Sequence, residues 1–154
     1  MDAHLMNALG QAGAYAAIAI AAVGSGIGTG VAGSAAIGAW KRCYAQNKPA
    51  PFQLVVFAGA PLSQTIYGMI IMFLVIGKVN SNPNLWPFYL IFGFLTGLGL
   101  CVSSAYQGIA GAGACDAFGD NEKGFVNYLM VLGIVETVSI FVMAFGIVLL
   151  SAIE

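Results

Sequence analysis

Charge is scarce in this sequence. Asp, Glu, Lys and Arg make up 7% of its 154 residues, where a soluble domain carries about a quarter. That scarcity excludes an ordinary water-facing surface. Histidine occurs once, as His4, and Cys43, Cys101 and Cys115 have no CxxC spacing. A zinc site and a disulfide framework are thereby excluded, and no cofactor is expected. With a net charge of −1, nothing points to nucleic acid or an anionic surface as partner. The opening MDAHLMNALGQ has no basic segment, so no cleaved signal peptide is expected there. What the chain does have is apolar length: 60% hydrophobic residues, a mean hydropathy of +0.91 and 21 glycines.

Four apolar runs, Gly10–Trp40, Phe52–Gly77, Trp86–Cys115 and Phe125–Ile153, each exceed the roughly 20 residues needed to cross a bilayer. The expected fold is therefore an all-α membrane protein with four transmembrane helices and lipid around it. The connections KRCYAQNKPAP, KVNSNPNL and DAFGDNEKG are short enough to favour antiparallel neighbours. Lys41, Arg42, Lys48 and Lys123 fall in the first and third loops, against Lys78 alone on the other side. The positive-inside rule then puts those two loops in the cytoplasm and both termini outside.

The chain is internally duplicated. GVAGSAA at Gly30–Ala36 matches GIAGAGA at Gly108–Ala114 in four of seven positions, at an offset of 78. Gln64-Thr65 aligns with Glu136-Thr137 at an offset of 72, and Phe73 falls on Phe145. Residues 1–80 and 81–154 are thus two copies of one hairpin, the first with Gln where the second has Glu. Within each hairpin the first helix is slim: Gly24/Gly28 and Gly26/Gly30 have GxxxG spacing, and Gly93, Gly97, Cys101, Gly108 and Ala112 follow suit. The second helix is bulky, with Phe57, Tyr67, Phe73, Phe141 and Phe145. This asymmetry suits a ring with the slim helices inside. Close packing in a lone four-helix bundle would use the same glycines.

One carboxylate lies inside an apolar run. Glu136 sits about 11 residues into the last run, roughly 16 Å from its start and near mid-membrane. An ionised carboxylate there costs several kcal/mol or more unless protonated or paired, and no Lys, Arg or His lies in another apolar run to pair with it. The residue has to hold a proton or a metal cation. Ser63, Gln64 and Gln107 fall at similar depth, with Tyr67 one turn from Ser63. Pro61 removes a backbone donor and frees a carbonyl near Phe57, so the backbone about Ala60 also offers oxygen. Neutral oxygens around one carboxylate suit a hard cation. The alternative is that these polar residues are interhelical hydrogen-bond glue. Gly24–Gly30 superficially resembles a nucleotide loop, but lacks the GK[ST] ending and follows no strand.

APLSQTIYG at Ala60–Gly68, AYQGIAGAG at Ala105–Gly113 and VET at Val135–Thr137, with the duplicated hairpin, carry a resemblance across essentially the whole chain. It resembles the proteolipid (K or c) subunit of V-type rotary ATPases. That family implies a non-catalytic subunit of a homo-oligomeric rotor ring. The ring turns against a membrane stator subunit that carries a basic residue, and its loops at Lys41–Pro51 and Asp116–Gly124 face the central stalk. Sodium-carrying bacterial members have Leu-Pro-Gly-Thr-Gln in helix two, Gln in helix three and Glu in helix four. Carried over, the sodium site is Glu136, Gln107, Gln64, Ser63 and the Ala60 carbonyl. Tyr67 hydrogen-bonds the carboxylate, and Thr137 stands as an outer partner. Ala60 replaces the family's Leu and Leu62 its Gly. The expected function is a sodium-carrying rotor subunit in a bacterial plasma membrane. Proton coupling is the near alternative, and a four-helix exporter of cationic drugs the distant one.

Overall fold

The computed structural model describes residues 2–153. Among them are five helices: α1 (Ala3–Ala45), α2 (Leu54–Gly59), α3 (Ser63–Ser81), α4 (Trp86–Asn121) and α5 (Phe125–Ser151). A three-residue 3-10 turn, Ala60–Leu62, joins α2 to α3, so these two form one span. Four helical stretches are long and apolar enough to cross a membrane. The protein is all-helical and multi-pass, as the apolar runs predict.

The helices outrun the apolar segments that announce them. α1 begins seven residues before Gly10 and continues past Lys41 and Arg42, because nothing in those flanks breaks a helix; Pro49 and Pro51 come only later. Its end is a Schellman-type cap: Asn47 adopts φ 53°, and Lys48 N–H donates to the Cys43 carbonyl at 2.9 Å. Trp40 Nε1 then ties the loop down by donating to Pro51 O at 2.8 Å. α4 likewise runs beyond Cys115 to Asn121, closing on Glu122 in the left-handed region. Gly124, at φ 83°, turns the chain directly into α5.

α1 and α4 run parallel and form the most extensive helix pair. Glycine makes this possible. A Cβ on Gly108 would fall on the backbone of Gly28, and one on Gly93 on the backbone of Gly13. A Cβ on Gly24 would likewise meet the backbone of Cys101. The paired positions differ by 77 to 80, close to the repeat offset, so the two copies stack in register through their first helices. Of the two GxxxG pairs, Gly24/Gly28 meets α4, while a Cβ on Gly26 or Gly30 would meet nothing within 4 Å.

Two apolar clusters hold the bundle. Ala14, Ala17, Ile71, Val75, Val79, Tyr89, Phe92 and Leu150 pack toward the end bearing both termini. Ala36, Ala39, Leu54, Phe57, Ala114, Cys115, Phe118 and Leu132 pack toward the other. Between them every long helix contributes buried polar side chains: Ser25, Gln64, Ser103, Ser104, Gln107 and Ser139. This polar layer, sandwiched between two dry ones, is where Glu136 lies.

Candidate ion-binding site

Glu136 is positioned by α5, whose buried stripe of Leu132, Ser139, Gly146 and Leu150 faces the other helices. Glu136 stands on the flank of that stripe and is half-buried. Tyr67 Oη donates to Glu136 Oε1 at 2.6 Å. Gln107 Nε2 donates to Glu136 Oε2 at 3.3 Å and to Leu132 O at 3.0 Å. Behind Gln107, Gln64 Nε2 donates to Gln107 Oε1 at 2.8 Å, with both amides fully buried. Ser63 Oγ lies 3.2 Å from Gln64 Oε1 and 3.1 Å from Ala60 O. Two helices thus send a continuous line of polar groups, Ser63 to Gln64 to Gln107, onto one carboxylate of a third.

Pro61 shapes the near wall. Its missing N–H tightens the span into the 3-10 turn Ala60–Leu62. The Ala60 carbonyl accepts from Ser63 within that turn. The Phe57 carbonyl, freed by the proline, is covered by α4 where Gly111 has no side chain; a Cβ there would sit 2.7 Å from it. The Pro61 carbonyl is taken by Ser104 Oγ at 2.7 Å.

The site is thus α3, α4 and α5 converging at one depth on an acid that, among the described residues, has no cationic partner; the ion pairs found there are Arg42 with Asp116 and with Asp120. The family model for the C subunit of ATP synthase matches residues 90–149, the stretch that holds both Gln107 and Glu136. The chain is also 29% identical over 146 residues to the A-type ATP synthase subunit K of Methanocaldococcus jannaschii (strain ATCC 43067 / DSM 2661 / JAL-1 / JCM 10045 / NBRC 100440). The chain is similar to the proteolipid subunits of ATP synthases. The alignment to the relative covers 94% of this chain and 63% of the relative's length.

In this chain the carried-over set is brought together with one exception. Thr137 is exposed, and its hydroxyl donates to Ile134 O on its own helix at 2.6 Å; it has no bond to Glu136. Ser25 and Ser104, outside that set, form a hydroxyl knot. Thr65 Oγ1 donates to Ser25 Oγ at 2.8 Å, and Ser104 Oγ lies 3.1 Å from the same atom. Through Ser104 the knot clamps the Pro61 turn. A signal was present in the chain: small hydroxyls at the depth of a helix-breaking proline, where a freed carbonyl needs a donor. Arg42 Nη2 meets Asp116 Oδ1 at 2.6 Å and Asp120 Oδ1 at 3.2 Å, joining α1 to α4 at the loop end, well away from the depth of Glu136.

Proposed function

We propose that this chain is the ion-carrying subunit of a membrane rotor ring in a V-type ATPase, with sodium as the ion. The observation that carries it is the convergence of Tyr67 and Gln107 on Glu136, with no cationic side chain beside it among the described residues and with Gln64, Ser63 and the Ala60 carbonyl behind. Catalysis of ATP hydrolysis belongs elsewhere in such a machine; this chain binds, carries and releases. Glu136 takes a cation from a half-channel beside a stator subunit, and the cation cancels its charge. The neutral site then crosses the lipid-facing arc, where a bare carboxylate would be costly. A basic stator residue at a second half-channel favours the emptied carboxylate and drives release.

As the two amides stand, each passes a donor toward Glu136. A half-turn of the Gln107 amide about its last bond replaces NH₂ with oxygen beside the carboxylate, and the matching turn of Gln64 keeps the two amides bonded. That arrangement offers sodium the neutral oxygens a hard cation prefers, while the present one, with a donor on each oxygen, suits an empty, ionised carboxylate. The two hairpins, residues 1–80 and 81–154, then share one site per four helices, Gln64 having kept the position but not the charge of Glu136. The segments Lys41–Pro51 and Asp116–Gly124 face the central stalk in the cytoplasm, both termini lie on the far side, and the membrane is the bacterial plasma membrane. The free glycine face of α1 around Gly26 and Gly30 supports close approach of a second copy in the ring.

A hydrophobic carbodiimide, which modifies protonated carboxyls, tests the ion. Sodium at millimolar concentration is expected to slow modification of Glu136 in the purified ring, and potassium at equal ionic strength to leave it unchanged. Modification that follows pH alone identifies a proton rotor with the glutamines acting as glue. A stable monomer in detergent, seen by native mass spectrometry, overturns the ring and favours the exporter.

A further inference from the structure

One buried polar atom in this protein stands apart. Among the described residues, Ser139 Oγ is the buried side-chain oxygen without a hydrogen-bond partner, and Ser139 is 0% exposed. A serine inside a helix ordinarily bonds back to the carbonyl four residues earlier. Ser34, Ser81 and Ser151 do so here, to Gly30, Gly77 and Ile147. For Ser139 that carbonyl is Val135 O, and it accepts instead from Ser103 Oγ of α4 at 3.2 Å. The orphaned hydroxyl is therefore a consequence of how α4 meets α5.

Its place is one turn beyond Glu136. Residues three apart on a helix have Cβ atoms about 5–6 Å from each other, and helical side chains lean toward the N-terminus. Ser139 Oγ accordingly overhangs the turn of Val135 and Glu136. The facing level of α4 is bracketed by Ser103, bonded to Val135, and by Gly99, where a Cβ would sit 3.2 Å from Val142 Cγ2. The duplication adds a comparison. At the offset of 72 that aligns Gln64 with Glu136, Ser139 aligns with Tyr67. Both hairpins place a hydroxyl three residues past the ion-site position. The long one crosses from α3 to Glu136 on α5; the short one is buried on Glu136's own helix with no partner among the described residues.

We propose that Ser139 Oγ anchors a buried water that hydrogen-bonds the Glu136 carboxylate, making Ser139 a determinant of how tightly the site holds its ion. Such a water would take three partners: Ser139 Oγ, a Glu136 oxygen and the lone pair of Ser103 Oγ. Three is the usual number for a buried water. It adds a neutral, mobile oxygen to a site whose other neutral oxygens are fixed on α3, α4 and the turn between α2 and α3. When the ion leaves, the same water stays hydrogen-bonded to the emptied carboxylate. This inference rests on Glu136 being the ion-carrying group, as proposed above.

The test uses the assembled ring in two independent ways. A cryo-electron-microscopy map fine enough to show ordered water should contain one within hydrogen-bonding distance of both Ser139 and Glu136, and Ser139→Ala should lose it. In parallel, Ser139→Ala should raise the sodium concentration that half-protects Glu136 from carbodiimide about five- to thirty-fold, and shift the infrared carbonyl stretch of the protonated Glu136 carboxyl. Ser139→Thr, which keeps the hydroxyl, should restore both. A map with no water at Ser139 and a stretch unchanged in Ser139→Ala overturn the proposal. If wild-type labelling ignores sodium, the sodium reading fails, while the map and the carboxyl stretch still decide the water.

Discussion

Tyr67 Oη donates to Glu136 Oε1 at 2.6 Å, and this bond fixes the carboxylate against α3 instead of leaving it to swing toward the membrane. Tyr67→Phe removes the donor and keeps the ring. Glu136 then retains Gln107 alone as a side-chain donor, at the longer distance of 3.3 Å. A single buried bond to a charged group is worth about 1.5–3 kcal/mol, so the half-protecting sodium concentration should rise by about ten-fold or more. Assembly should survive, because Tyr67 lies at the half-exposed edge of α3. Unaltered protection in Tyr67→Phe would mean that the hydroxyl has no part in holding the loaded site.

Glu136 and Asp116 separate function from surface. Glu136→Gln removes the one acid in the polar layer while keeping its shape, so rings should assemble and ATP-driven ion transport should disappear. Asp116 is exposed, with 64% of its side chain open to solvent, and pairs with Arg42. An exposed pair contributes about 0–1 kcal/mol, so Asp116→Asn should leave transport largely intact. Transport assays on reconstituted complex decide the comparison, and equal loss in both variants would deny Glu136 any special role.

How far the sequence reaches is shown by particular residues. The four spans, the duplication and Glu136 with Gln107, Gln64, Ser63 and Tyr67 are legible because each is a strong local signal: a long apolar run, an aligned motif, a charge where none is affordable. The helix ends are not, since Lys41, Arg42 and Asp116 end the apolarity without ending the helix. Nor does spacing say which GxxxG pair is used. Gly24/Gly28 and Gly26/Gly30 are equivalent in the sequence, and only the rotation of α1 against α4 chooses between them. Thr137 sits beside Glu136 in the chain, yet helical geometry turns it about 100° away. The same rotation explains Ser139, whose orphaned hydroxyl depends on Ser103 of another helix.

That choice of glycines is directly testable. A Cβ on Gly108 would fall on the Gly28 backbone, and neither helix can yield without parting the whole α1–α4 seam. Gly108→Ala should cost at least the about 1–3 kcal/mol typical of overpacking and lower the melting temperature of the protein in detergent. Gly26→Ala meets nothing within 4 Å and gains helix propensity of about 0.5–1 kcal/mol. The individual subunit should then be at least as stable as wild type. If Gly26→Ala instead weakens the assembled ring while the subunit's own helicity persists, its open face is the one that meets a neighbour.

The polar line from Ser63 to Glu136 predicts a gradient. Gln107 touches the carboxylate, Leu132 O and Gln64 at once. Its loss leaves a buried Leu132 carbonyl and the Gln64 amide without their partner. Ser63 bonds Ala60 O and Gln64 Oε1, three hydrogen bonds from the acid along that line. If these groups act solely as a hydrogen-bonded relay, Gln107→Ala should weaken sodium protection by about 1–3 kcal/mol, and Ser63→Ala by much less. If sodium binds Ser63 Oγ directly, the two losses should be similar. The double variant separates the cases further. Relay members act through one another, so their effects should fall short of additive. Because carbodiimide reads the protonated acid, sodium should compete better as pH rises and more sites stand open to the metal. Measuring half-protection for the four proteins at two pH values distinguishes ligand from relay, and protection that none of these changes moves would remove both residues from the site.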